Sequence, residues 1–200
     1  MMKKEKSESR GVVAQRITDA PASEHGFVLS GGMAEAKKLR VYCETSFWSY
    51  LNGHPTPLAH IAVKQAATLR WWQEIAPNCE IYVSPFVDDE AEGGDPESAA
   101  LRRKSTEGFQ TLNPGPSAVS DVAVALIDGH ALPKNETTDA SHIAIASVYG
   151  MDVLLTWNCR HMANPVTLPK TSAIVAKAGF ACPVVITPAE FLERREEFGL

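Results

Sequence analysis

Four positions in this chain carry side chains that could gather charge at one place. Glu44 stands in VYCETSFWSYL, Glu90 sits with Asp88, Asp89 and Glu92 in VSPFVDDEAEGGDPE, Asp139 opens TTDASHIAIASVYG, and Asn158 ends VLLTWN. Taken singly, each has an ordinary explanation. Glu44 would offset the dipole at a helix start, the 88–92 run would be a solvated face, Asp139 would help a cap from Thr137 or Thr138, and Asn158 would be a turn residue. Brought together they mean something else. Converging carboxylates repel and raise one another's pKa unless a cation neutralises them, so such a group reads as a site for a hard divalent ion, Mg²⁺ or Mn²⁺. Those ions acidify water and neutralise phosphate, which makes phosphodiester hydrolysis the natural reaction class.

The elements that must position these residues are legible. The apolar β-rich runs 41–43, 81–83, 153–156 and 184–187, bounded by polar, Pro or Gly residues, predict buried parallel strands, with a fifth near Thr111. Three-to-four-residue apolar spacing predicts helices over 60–76, 95–109, 117–129 and 138–150, the last stopped by Gly150, and another leading on from Thr45 and Ser46. Strands alternating with helices predict an α/β sandwich with a mainly parallel sheet. Ligands of such sheets sit at the carboxyl ends of the strands, and all four positions fall there.

The 200 residues suit a single domain, and 44% hydrophobic with 22% charged residues is a globular composition. Nineteen Lys+Arg against 24 Asp+Glu give a net charge of -5, which excludes a protein that coats nucleic acid through a basic face. Cys43, Cys79, Cys159 and Cys182 lack CxxC spacing and read as reduced thiols of a cytoplasmic protein. No run is apolar enough to span a bilayer, and the Lys/Glu-rich start lacks a signal-peptide core, so no membrane partner is expected. Residues 1–32 hold no sustained apolar period and read as a disordered tail, with Met33 an alternative start and 33–200 the folded domain.

Other residues divide between fold and site. His142 and His161 each follow an acid or amide by three residues; metal ligation is open to both, with a hydrogen-bonded structural role favoured. Trp48, Trp71 and Trp72 favour core packing over base stacking. Arg102, Arg103 and Lys104 form the densest basic cluster, a solvated helix face first and an RNA-guiding rim second. Asp152 reads as a loop acid outside the site.

Four segments in register, VYCETSFWSYL, VSPFVDDEAEGGDPE, TTDASHIAIASVYGMDVLLTWNCRHMANP and GFACPVVITPAEFL, resemble the PIN domain family, in particular its VapC-like toxin ribonuclease branch. The resemblance covers about residues 40–190. It implies a three-layer α/β/α sandwich with a five-stranded sheet in the order 3-2-1-4-5, and acids that bind Mg²⁺ or Mn²⁺ to cut RNA. Glu44 matches the first acid, usually Asp; Glu90 matches the second and Asp139 the third. Asn158 falls where many relatives carry a fourth acid, and Thr156 matches the hydroxyl before it. Thr45 and Ser46 would then bond the first acid or a bound phosphate. By resemblance, the chain is the toxin of a type II toxin–antitoxin pair, with RNA as substrate, an antitoxin protein as partner and a homodimer as assembly. A catalytically degenerate PIN-like RNA-binding or regulatory module is the rival, favoured by Glu44 and Asn158. A phosphatase would need DxD after the first strand, which CETS lacks, and a nucleotide-binding module would need a Gly-rich phosphate loop between a strand and a helix.

Because residues 1–32 offer no apolar face to bury, deleting them should leave the melting temperature nearly unchanged. Differential scanning calorimetry of the two chains tests this, and a large drop would mean that the segment is integral to the fold.

Overall fold

The computed structural model describes residues 37–87 and 96–200. Five strands, β1 (Leu39–Cys43), β2 (Cys79–Val83), β3 (Gln110–Thr111), β4 (Val153–Leu155) and β5 (Val184–Ile186), form one all-parallel sheet in the order β3-β2-β1-β4-β5. The sheet order and α/β class are those expected. β1 is central, pairing Val41 with Ile81 on one side and with Val153 on the other.

Parallel strands need long returns, and helices supply them. They are α1 (Thr45–Asn52), α2 (Ala59–Glu74), α3 (Pro96–Thr106), α4 (Ser117–Asp128), α5 (Thr137–Val148), α6 (Leu168–Lys177) and α7 (Pro188–Glu193). Alternation along the strands divides the core in two. Tyr42, Tyr82, Leu154 and Val185 pack with Leu126 of α4, Ile143 of α5 and Val175 of α6 on one face. Val41, Ile81, Leu155 and Ile186 pack with Phe47 and Trp48 of α1, Trp71 of α2 and Phe191 of α7 on the other. The second face is aromatic: Phe47 meets Trp48 and Trp71 edge-on at 5.4 Å between centroids, and Trp71 meets Phe191 at 5.7 Å. Trp48, Trp71 and Trp72 are therefore core residues.

α5 is buried along most of its length because Ala140, Ala144 and Ala146 let it lie close between the sheet and its neighbours. It stops as expected at Gly150. There a φ of 63° lets Gly150 N–H bond Ser147 O and Met151 N–H bond Ala146 O, closing the last turn. At that same end, Arg40 Nη1 donates to Tyr149 O and Gly150 O at 2.9 and 3.0 Å, and Asp152 Oδ2 accepts from Arg40 N–H at 2.8 Å. Asp152 thus ties β1 to β4 at the amino edge, away from the acids.

Three details depart from the predicted elements. β4 and β5 end at Leu155 and Ile186, so Thr156 and Thr187 are exit residues. Neither Thr137 nor Thr138 caps α5; Glu136 is its N-cap residue and makes no side-chain cap bond. Helices α6 and α7 were not among the predicted helices: α6 turns Leu168, Thr171, Ile174 and Val175 inward, but Pro169 and the polar residues among them break up the pattern, and α7 is only six residues long. All four cysteines are unpaired, and burial pushes the Cys79 thiol up to about 12. No helix among the described residues is long and apolar enough to cross a membrane.

Trp48 and Trp71 are both fully buried, but their indole N–H groups differ. Trp48 Nε1 donates to Cys43 O at 3.1 Å, whereas Trp71 Nε1 has no partner among the described residues. Trp48→Phe should therefore destabilise by about 1 kcal/mol more than Trp71→Phe. Urea titration compares the two midpoints, and equal losses would contradict the assignment.

Candidate metal centre at the carboxyl edge of the sheet

Glu44 follows β1 directly and is the N-cap of α1. Its Oε2 accepts the Ser46 N–H at 2.8 Å and its Oε1 accepts the Ser46 hydroxyl. The Ser46 hydroxyl in turn accepts Trp157 N–H at 2.7 Å, which fixes the loop after β4 against the start of α1. Burial pushes the Glu44 carboxyl up, while the charge of nearby His142 and hydrogen bonds from Ser46 and Thr156 pull the other way. Glu44 is thus both a cap and an acid of the edge. Thr45, expected to hydrogen-bond the acid or a phosphate, instead leaves its hydroxyl buried with no partner among the described residues.

Asp139 occupies the first turn of α5 and is held from the β4 exit loop. Its Oδ2 accepts Asn158 Nδ2–H at 2.8 Å and lies 3.1 Å from His161 Nδ1. Asn158 is oriented by its own loop: its N–H donates to Thr156 Oγ1 at 2.8 Å, and its Oδ1 accepts His161 N–H at 3.1 Å. The loop after β4 therefore reaches both acids, Glu44 through Ser46 and Asp139 through Asn158. Burial pushes the Asp139 carboxyl up and the neighbouring Glu136 charge adds to this, opposed by the His161 hydrogen bond and the charges of His142 and His161.

Beneath the acids lies a buried polar chain. Tyr42 hydroxyl is 2.7 Å from His142 Nδ1 and 2.6 Å from Ser84 Oγ, joining β1, the exit of β2 and α5. His142 is fully buried, in keeping with the hydrogen-bonded structural role. His161 is different. Its Nδ1 also lies 3.3 Å from Glu136 Oε2, and one ligand atom from each of Glu136, Asp139 and His161 falls within 4.8 Å of the others.

The expected site residues are thus distributed unevenly. Glu44, Ser46, Asp139, Thr156 and Asn158 share one hydrogen-bonded edge. Glu90 lies outside the described residues. Arg103 and Lys104 are exposed in the last turn of α3, consistent with a solvated face, and Arg102 belongs to the same helix. Two features escape the sequence reading. Glu136 stands three residues before Asp139, a spacing that stacks both acids at the head of one helix, and Lys64 reaches the edge from α2. Lys64 Nζ lies 5.2 and 5.3 Å from the centroids of Tyr50 and Trp157. Trp157 is itself anchored by Nε1–H donating to Thr68 Oγ1 at 2.8 Å.

The donor set that could hold a divalent cation is Glu136, Asp139 and His161, two carboxylates and an imidazole nitrogen within 4.8 Å of one another. Comparison of the chain with protein-family models, curated proteins and solved structures finds no match.

Without a cation, Asp139 costs stability when ionised. A carboxyl pushed up by folding favours the native state below the ordinary carboxylate range, and that contribution is lost as pH rises through the raised value. In EDTA at pH 7, Asp139→Asn should melt higher than wild type, by roughly 2–4 °C for each kcal/mol relieved. The gap should close on acidification toward pH 4. Melting curves across that range would contradict this if the variant were less stable at pH 7.

Proposed function

We propose that this chain is a metal-dependent endoribonuclease resembling the VapC-like branch of PIN domains. The observation that supports the reading best is the meeting of Glu44 and Asp139, from distant parts of the chain, on the β4 exit loop through Ser46 and Asn158. That meeting occurs at the carboxyl edge of a 3-2-1-4-5 sheet. Both are what the sequence resemblance implies.

Glu44 and Asp139, with Glu90 as the expected third acid, would hold Mg²⁺ or Mn²⁺. When bound, the cation supplies an acidified water and neutralises charge on a phosphate. The protein's own part is positional. Ser46 fixes the Glu44 carboxylate and Asn158, itself held by Thr156, fixes Asp139, so the acids keep their geometry as a strand of RNA enters. Lys64 gives that rim a cation for a flanking phosphate, and Tyr50 and Trp157 hold it in place. The attack is in line with the departing oxygen. The proposed biological class is a toxin with an antitoxin partner, acting as a homodimer in the cytoplasm.

A second reading has one observation in its favour. Asn158 spends an N–H on Asp139 where an acid would add negative charge, and this weakens the cation field of a degenerate RNA-binding module.

Incubating the untagged full chain with a broad RNA pool separates the two. Cleavage should require Mg²⁺ or Mn²⁺ and fall by about 100-fold or more in Glu44→Gln and Asp139→Asn, as for loss of an electrostatic catalytic group. Asn158→Asp should be slower than wild type, since it sets a carboxylate against Asp139 Oδ2. A silent wild type that Asn158→Asp activates would establish the degenerate module instead.

A further inference from the structure

Glu136 and Asp139 sit three residues apart at the start of α5, and acids there ordinarily fold back onto the helix's free N–H groups. These two do not. Glu136 makes no side-chain cap bond, and Asp139 turns its Oδ2 outward to Asn158 and His161. Both carboxylates therefore address the same imidazole nitrogen, His161 Nδ1, at 3.1 and 3.3 Å. One ring nitrogen carries at most one proton and cannot donate fully to two carboxylates. A small cation among the three atoms satisfies all of them.

The spacing suits such an ion. First-row divalent ions hold N and O ligands at about 2.0–2.2 Å, which places neighbouring ligands roughly 2.8–3.6 Å apart across octahedral and tetrahedral geometries. The separations of 3.1 and 3.3 Å fall in that interval. The surroundings are also organised: the Asn158 side chain donates to Asp139 Oδ2 and accepts from His161 N–H, so one amide aims two ligands. The Asp139, His161 and Glu136 side chains are 10%, 15% and 25% exposed, so all three are largely shielded from solvent.

We propose that Glu136, Asp139 and His161 form a mixed nitrogen and oxygen site for a divalent transition-metal ion of the Mn²⁺ and Zn²⁺ class, in preference to Mg²⁺. An imidazole ligand is what separates the two classes. Mg²⁺ favours oxygen ligands and retains its waters, whereas the transition ions bind imidazole readily. The inference shares Asp139 with the nuclease reading and deepens it by naming the metal. Asn158 then has a role that an acid could not fill, since a carboxylate has no N–H to offer Asp139.

The test is calorimetric titration of the EDTA-stripped, untagged full chain with MnCl₂, ZnCl₂ and MgCl₂. Mn²⁺ and Zn²⁺ should bind more tightly than Mg²⁺, and His161→Gln should weaken both by about tenfold or more while leaving Mg²⁺ within about twofold. Glu136→Gln should weaken all three. Should His161→Gln lose its fold by circular dichroism, pulsed EPR of Mn²⁺ on the wild type decides, because a coordinated imidazole gives a nitrogen coupling. Absence of that coupling, unchanged Mn²⁺ and Zn²⁺ affinity in folded His161→Gln, or equal wild-type affinity for Mg²⁺ would reduce the cluster to an ion pair. RNA cleavage followed in the same samples keeps the questions apart: Mn²⁺-dependent cleavage untouched by His161→Gln sinks this site and leaves the nuclease standing.

Discussion

Parallel strands cannot be joined by tight turns, and this constraint organises everything else in the molecule. Each strand must leave at one edge and return through a helix to start again at the other. All exits therefore gather at the carboxyl edge: Glu44 after β1, Ser84 after β2, the 156–158 loop after β4 and Thr187 after β5. Polar residues there are free of ladder duty and are available to one another. The amino edge is instead closed by Arg40 and Asp152, which satisfy the last carbonyls of α5 and stitch β1 to β4.

The sequence shows the frame more readily than the site. Strands buried on both faces leave short Val, Ile and Leu runs that no amphipathic helix would leave, so β1, β2, β4 and β5 are visible as such. Helix α6 escapes because its inward positions, Leu168, Thr171, Ile174 and Val175, include a threonine and start beside Pro169, which masks the apolar stripe. At the site, strand ends identify Glu44, Asp139 and Asn158 as neighbours, since topology alone brings them to one edge. It does not reveal which atoms meet. That His161 turns to Asp139 while His142 turns to Tyr42 depends on the loop 158–161 folding back through the Asn158 amide, and no spacing rule encodes this. Lys64 escapes for a similar reason: a lysine in an amphipathic helix looks solvated until Tyr50 and Trp157 are seen to hold it.

Glu44 and Asp139 answer the same problem differently. A buried carboxylate must be given donors, a proton or a cation. Glu44 takes donors, the Ser46 N–H on one oxygen and the Ser46 hydroxyl on the other, so it is fixed before any ligand arrives. Asp139 takes both of its contacts, Asn158 and His161, on one oxygen, and no bond reaches Oδ1 among the described residues. Its neighbour Glu136 adds further negative charge. The rigid acid anchors the edge, and the under-satisfied one is where an incoming cation gains most.

The field around that cation is mixed, and the mixture bears on what could bind. Helices α1 and α5 both begin at the carboxyl edge, and the positive end of a helix opposes a cation and favours an anion. A cation alone would meet that opposition, which is why several carboxylates at the helix starts are needed to hold it. An anion alone would meet those same carboxylates. A cation that itself carried a negatively charged ligand would meet neither penalty in full, because the carboxylates would offset its positive charge while the helix starts and Lys64 would offset its ligand's negative charge. A phosphodiester has that character, with one charge per link and oxygens that can bridge from metal to backbone. The same edge would serve a neutral ligand poorly, since nothing would then offset the helix ends.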